Sequence, residues 1–178
     1  MSRRLGLLLP LLMLGLLVLL REVQSDGAAR IARGEERALH VLDRFVSATD
    51  DIPAADVEAL RAQLTGIEGL HAFTPENAQA GTAAYAQDRS YMYGLAQLAE
   101  RDAQSGTLRQ LWVLRAWPLD FGVTGDAEFQ LGTDGVLWEG QNLRGRSGTD
   151  TGFPPPFPEP DVTTRPGGWW TRPRPAHR

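Results

Sequence analysis

Residues 116–145 read AWPLDFGVTGDAEFQLGTDGVLWEGQNLRG, and the reading of this stretch decides the fold. Pro118 has no N–H to give to a ladder, so it closes the strand that precedes it. Phe121-Gly122-Val123-Thr124-Gly125 then supplies two glycines for a turn that needs positive φ. Residues 127–131 form the next strand. Gly132-Thr133-Asp134-Gly135 carries Asp-Gly, the strongest short hairpin signal, and residues 136–139 are the return strand. On the N-terminal side, residues 108–117 place Leu111, Val113 and Trp117 on one face and Trp112, Leu114 and Ala116 on the other. Apolar side chains on both faces mark a central strand. Arg115 interrupts one face and is expected to snorkel to the sheet edge or meet a carboxylate. Residues 101–107, RDAQSGT, read as a hairpin loop, and residues 90–98 alternate bulky Tyr91, Tyr93 and Leu95 as a strand. The stretch 90–145 is thus expected to be a four-stranded antiparallel β-meander.

Upstream, residues 22–66 carry helical periodicity. Ile31, Ala38, Leu42 and Phe45 recur at intervals of seven, four and three, one face of an amphipathic helix, with Glu35, Glu36, Arg37, Asp43 and Arg44 on or near the other side. Gly27 and Gly34 each cost about 1 kcal/mol relative to alanine and weaken a single straight rod. Pro53 suits the first turn of a second helix, with Asp51 as its cap, Val57, Leu60 and Leu64 as its stripe and Gly66 as its stop. Residues 67–89 are mostly small and polar and read as a loop, with one helical turn possible at Thr74-Pro75-Glu76. The fold class is α+β: an N-terminal hydrophobic helix continuing into amphipathic helices packed on the meander, followed by a Pro-rich disordered tail.

Residues 1–21 are a transmembrane anchor or signal segment. Arg3 and Arg4 precede an apolar run from Leu5 to Leu20, broken only by Gly6, Pro10 and Gly15. As a helix that run is about 24 Å long, between a signal peptide's apolar region and a full membrane span. Either way, the positive end stays in the cytoplasm and everything after Arg21 is exported. Val23-Gln24-Ser25 offers a cleavage site before Asp26, which Arg21 and Glu22 crowd. The expected localisation is the inner membrane, single-pass, with the C-terminal domain extracytoplasmic; the alternative is a periplasmic protein freed by cleavage.

The composition excludes more than it specifies. There are no cysteines, hence no disulfide, thiolate metal site or cysteine nucleophile. Residues 22–178 hold 15 arginines against 22 acidic residues, about −7, so no nucleic-acid partner is expected. Residues 146–178 hold eight of the twelve prolines, and such a segment cannot bury enough apolar surface to fold alone. It reads as an extended or disordered tail. Trp169 and Trp170, set among Arg165, Arg172, Arg174 and Arg178, are its candidate partner-binding residues, and PPPFPEP has the composition of a polyproline segment.

The motifs SYMYGL and VLRAWPLDFGVTGDAEFQLGTDGVLWEGQNLRG resemble a bacterial family of exported proteins of unknown function. The matching positions are Ala116, Trp117, Pro118, Phe121, Gly122, Thr124, Gly125, Phe129, Gly135, Val136 and Trp138. The overall plan, a basic leader, an apolar helix, an amphipathic helix and an antiparallel meander, is similar to type IV pilins and type II secretion pseudopilins. In that resemblance Gly6 stands for the glycine of a prepilin cleavage point, with Leu7 beside it and Leu11 where a glutamate would stand. The resemblance implies a structural or interaction component of the bacterial envelope, with other envelope proteins as partners.

No constellation carries catalysis. His40, His71 and His177 have no second ligand-type residue at metal spacing, and no nucleophile elbow, phosphate loop or dinucleotide fingerprint is present. Asp120, Asp126 and Asp134 sit at turns, where aspartate is common for backbone reasons; a calcium ion in a terminal loop, as in some pseudopilins, is the competing reading. No catalytic, cofactor-binding or metal-binding residue is assigned. Of Trp112, Trp117 and Trp138, two are expected in the core and the third could line a binding face. A signal-cleaved soluble binding module, using that sheet face or the Trp169-Trp170 tail, is the alternative function.

Overall fold

The computed structural model describes residues 5–74, 82–101, 107–141, 145, 147–148 and 170–174, with backbone alone for 5–12, 14–20, 82–83, 100–101, 141 and 170–174. Among the described residues, two helices and seven strands follow in the order α1 (Leu5–Thr49), α2 (Val57–Gly66), β1 (His71–Phe73), β2 (Thr82–Gln87), β3 (Tyr91–Arg101), β4 (Leu108–Pro118), β5 (Ala127–Gly132), β6 (Leu137–Gln141) and β7 (Trp170–Arg174). The strands form one antiparallel sheet in sequence order.

The four expected strands are present as β3 to β6, and β4 is central, fully laddered to β3 and paired with β5 on its other side. The sheet is nevertheless larger than a four-stranded meander. The expected loop at 67–89 contains β1 and β2, which extend the sheet beyond β3. Their sequences, HAF and TAAYAQ, lack bulky alternation; they become strands because the edge of β3 offers backbone partners to β2, and β2 in turn offers them to β1. At the other edge, Trp170–Arg174 pairs with β6 inside the segment expected to be disordered. The turn expected at Thr74-Pro75-Glu76 lies, from residue 75 on, outside the described residues.

Turn chemistry explains the hairpins. Between β5 and β6, Gly135 adopts φ +70° and its N–H donates to the Gly132 carbonyl (2.9 Å), the three-residue loop with a left-handed last position. Asp134 Oδ1 accepts from the Val136 N–H (3.1 Å). Thr133 stands beside β4 where the β5 ladder has ended; its hydroxyl accepts from the Trp112 N–H (2.7 Å) and donates to the Trp112 carbonyl (3.0 Å). One side chain thus replaces a backbone partner.

Alternation along β4 sorts two faces. Trp112, Leu114 and Ala116 join Tyr91, Tyr93, Leu95, Ala127, Phe129 and Leu131 beneath the helices. Trp117, Met92 and Tyr85 pack together on the opposite face, next to Phe73 and Leu119. Arg115, Glu128 and Gln130 are buried on that second face too, so Arg115 lies inside the sheet surface rather than at its edge.

α1 covers β4 and β5, and α2 covers β2. Ala38, Val41, Leu42, Phe45 and Thr49 are the buried stripe of α1, and Phe45 meets Trp112 edge-on at 5.3 Å between ring centroids. Each such large side chain contributes roughly 1.5–3 kcal/mol by leaving water. α2 buries Leu60 and Leu64. It starts later than Pro53: Asp56, not Asp51, is its cap, accepting from the Ala59 N–H at 3.0 Å. Pro53 instead heads a turn in which the Asp56 N–H donates to its carbonyl (2.8 Å). Gly66 ends the helix as expected.

Candidate functional site

α1 is a single helix of 45 residues, about 67 Å long at the helical rise, despite Gly27 and Gly34. Its full burial begins at Gly34: residues 21–30 are exposed apart from half-buried Gly27, Ile31 is half-buried, and Val23 is 69% exposed. Where the helix leaves the sheet, hydrogen bonds and an ion pair fasten it to two loops, and this seat is the candidate site.

Three contacts build that seat. Gly34 lies against the loop between β4 and β5 so closely that a Cβ would sit 1.8 Å from the Thr124 carbonyl oxygen. At the next residue, Glu35 Oε1 accepts from the Asp126 N–H (3.1 Å) and the Ala127 N–H (3.2 Å), fastening the helix to the start of β5. Next to it, Arg37 Nε reaches Asp88 Oδ2 at 3.1 Å. Asp88 organises the β2–β3 turn: Oδ1 accepts from the Ser90 N–H (2.6 Å) and the Tyr91 N–H (2.8 Å), and Oδ2 also accepts from the Tyr93 hydroxyl (3.2 Å). Its side chain is 1% exposed. A buried carboxylate is tolerated because both oxygens are engaged and a cation faces it.

The loop under the helix is shaped by its own backbone. The Asp120 carbonyl accepts from the Val123 and Thr124 N–H groups and from the Thr124 hydroxyl, and Gly122 takes φ +76°. Gly125 serves differently from the expected positive-φ turn position: a Cβ there would meet the Tyr91 hydroxyl at 2.1 Å. That hydroxyl donates to the Ala127 carbonyl (3.0 Å). Phe121 and Val123 remain 39% and 38% exposed at the loop surface.

Burial holds the Tyr91 and Tyr93 phenols well above their ordinary value, with Glu35 adding to the effect on Tyr91 and Asp88 to that on Tyr93. Both stay protonated in the fold, whereas the unfolded chain ionises them near the ordinary tyrosine value of about 10. Their contribution is complete below that pH and is lost as pH rises above it. The urea midpoint is expected to hold up to about pH 9 and fall steeply beyond about pH 10, with tyrosinate absorbance from these two residues appearing only as the chain unfolds. A flat midpoint through that range would contradict the assignment.

A second feature is a groove of about 510 Å³ between the end of α1 and the β5–β6 turn, lined by Val46, Thr49, Ile52, Trp112 and Thr133, with Asp43, Asp50 and Asp134 at its rim. Among the described residues no group of histidine, aspartate and glutamate side chains could hold a metal ion.

The residues singled out in the sequence are dispersed. Trp112 and Trp117 are buried on opposite faces, and Trp117 Nε1 donates to the Gly148 carbonyl (3.0 Å); Trp138 is half-buried. Trp170 begins β7 opposite Gly140, whereas Trp169 lies outside the described residues. His40 and His71 are exposed, on α1 and β1, and His177 lies outside the described residues. Asp120 and Asp126 belong to the loop under α1 and Asp134 to the β5–β6 turn, so the three do not converge. Sequence reasoning missed Glu35, Arg37 and Asp88 as a set, because their partners are up to 92 positions away. Among the described residues no helix is long and apolar enough to cross a membrane. The side chains of the apolar run from Leu5 to Leu20, Met13 apart, lie outside the described residues, and the anchor expectation lies there with them. Comparison of the chain with protein-family models, curated proteins and solved structures finds no match.

Proposed function

We propose that this chain is an exported protein held in the bacterial inner membrane by Leu5 to Leu20, acting as a pseudopilin-like structural or interaction component of the envelope rather than as an enzyme. The observation that carries the reading is the division of α1. Residues 34–49 are built into the fold, and residues 21–30, half-buried Gly27 apart, are exposed over about 15 Å of the same helix. A helix that merely completes a core has no use for a projecting first half. A helix that must connect a domain to a membrane, and present a surface to neighbouring envelope proteins, needs one.

The seat supports the same reading. Gly34, Glu35 and Arg37 fasten the helix where it leaves the sheet, so the projecting half keeps a defined direction. The helix also runs unbroken through Val23-Gln24-Ser25, so cleavage before Asp26 would require local unwinding, which favours a retained anchor over a removed signal. The apolar run itself, preceded by Arg3 and Arg4, supplies the orientation.

Expression in a Gram-negative host followed by fractionation tests this. The intact chain, starting upstream of Leu5, is expected in the detergent-soluble inner-membrane fraction, with the domain digested by protease added to spheroplasts. A soluble periplasmic form beginning at Asp26 would overturn the proposal and favour the free binding module.

A further inference from the structure

We infer that β7 is an exchangeable strand, and that the β6 edge accepts β7 from a second copy of this chain. Neighbouring strands β1 to β6 are joined by at most eight residues, whereas 28 residues separate Gln141 from Trp170. Part of that connection is pinned: the Gly148 N–H donates to the Pro118 carbonyl (3.0 Å), its carbonyl accepts from Trp117, and Ser147 Oγ accepts from the Phe121 N–H (2.8 Å). The remaining link, residues 149–169, has a contour limit of about 70 Å. Three strand spacings, about 15 Å, separate β4, where Gly148 is held, from β7. The covalent connection therefore permits β7 to reach its own β6 edge or that of a neighbour.

The pairing itself is of a kind that transfers. β7 meets β6 through four partner pairs, Leu137 with Arg174, Trp138 with Pro173, Glu139 with Thr171 and Gly140 with Trp170. The register shifts between Trp138 and Glu139, leaving Arg172 as an extra residue, and Pro173 has no N–H to donate. A short, interrupted ladder has a low barrier to leaving. The β6 edge left behind is a row of backbone groups that needs a strand. A second copy offers the identical strand, so the exchanged and unexchanged ladders have the same bonds and differ mainly in the entropy of tethering.

The absence of cysteine makes the test clean. Glu139→Cys and Thr171→Cys are placed on two differently tagged copies of the full chain, co-expressed and oxidised; directly paired strand positions have the Cα spacing a disulfide needs. Ala99→Cys and Gln110→Cys on separate copies, a register pair in the β3–β4 hairpin, are the control. The expected result is a disulfide-linked heterodimer of the two tagged chains for the first pair and its complete loss for the second. Closure of Glu139→Cys with Thr171→Cys only when both are on one chain would overturn exchange. Failure to close in either arrangement would overturn the pairing on which it rests.

Discussion

Asp88→Ala is expected to lower the stability of the domain by roughly 3–5 kcal/mol, because two backbone N–H groups and a buried phenol lose their acceptor at about 1–3 kcal/mol each. The carboxylate accepts two backbone N–H groups at the β2–β3 turn, the Tyr93 hydroxyl and the Arg37 guanidinium. Truncation leaves the two N–H groups and the phenol without their acceptor where little water can replace it, while the half-exposed guanidinium turns to solvent. Asp88→Asn separates the parts. An amide oxygen still accepts from Ser90 and Tyr91, so the loss falls on the Tyr93 and Arg37 contacts, and about 1–3 kcal/mol is expected. Arg37→Ala should cost least, because that side chain is 42% exposed and its side of the pair is screened by solvent. Urea denaturation of the three variants checks the order Asp88→Ala, Asp88→Asn, Arg37→Ala. A larger loss for Arg37→Ala than for Asp88→Ala would mean that the ion pair, not the turn, dominates.

The second large effect is a contrast between two glycines of one helix. Gly34→Ala is expected to destabilise by about 1–3 kcal/mol or more, since the new methyl would lie 1.8 Å from the Thr124 carbonyl oxygen and must push the helix off the loop. That displacement also pulls Glu35 away from the Asp126 and Ala127 N–H groups. Gly27→Ala meets nothing within 4 Å and should favour the helix by up to about 1 kcal/mol through propensity alone. Thermal unfolding of both variants reads the opposite signs directly. If alanine were tolerated equally at both positions, the close approach at Gly34 would not exist in solution.

The turns of residues 116–145 were legible because their chemistry is local: Pro118 ends β4, Asp134-Gly135 shapes the β5–β6 turn, and Gly66 stops α2. The apolar alternation of residues 108–117 correctly marked a central strand; Trp112 is buried under the helices as expected, whereas Trp117 is buried on the opposite face. The cap of α2 was misplaced from Asp56 to Asp51 because both are aspartates near a proline, and only the bond to the Ala59 N–H separates them.

What escaped was non-local. HAF and TAAYAQ carry no strand pattern, and Trp170–Arg174 contains a proline; all three are strands because a neighbouring edge offers them backbone partners. Gly34 and Gly125 looked like a helix defect and a turn residue, but each is small because another segment passes over it. The amino-acid sequence by itself determined the α+β class, the turns of the β4–β6 stretch and the buried stripes. The tertiary structure alone decided the sheet's full width and the seat of α1. Propensity, capping and turn geometry act within a few residues, whereas strand pairing and close backbone approach join residues whose separation no local pattern encodes.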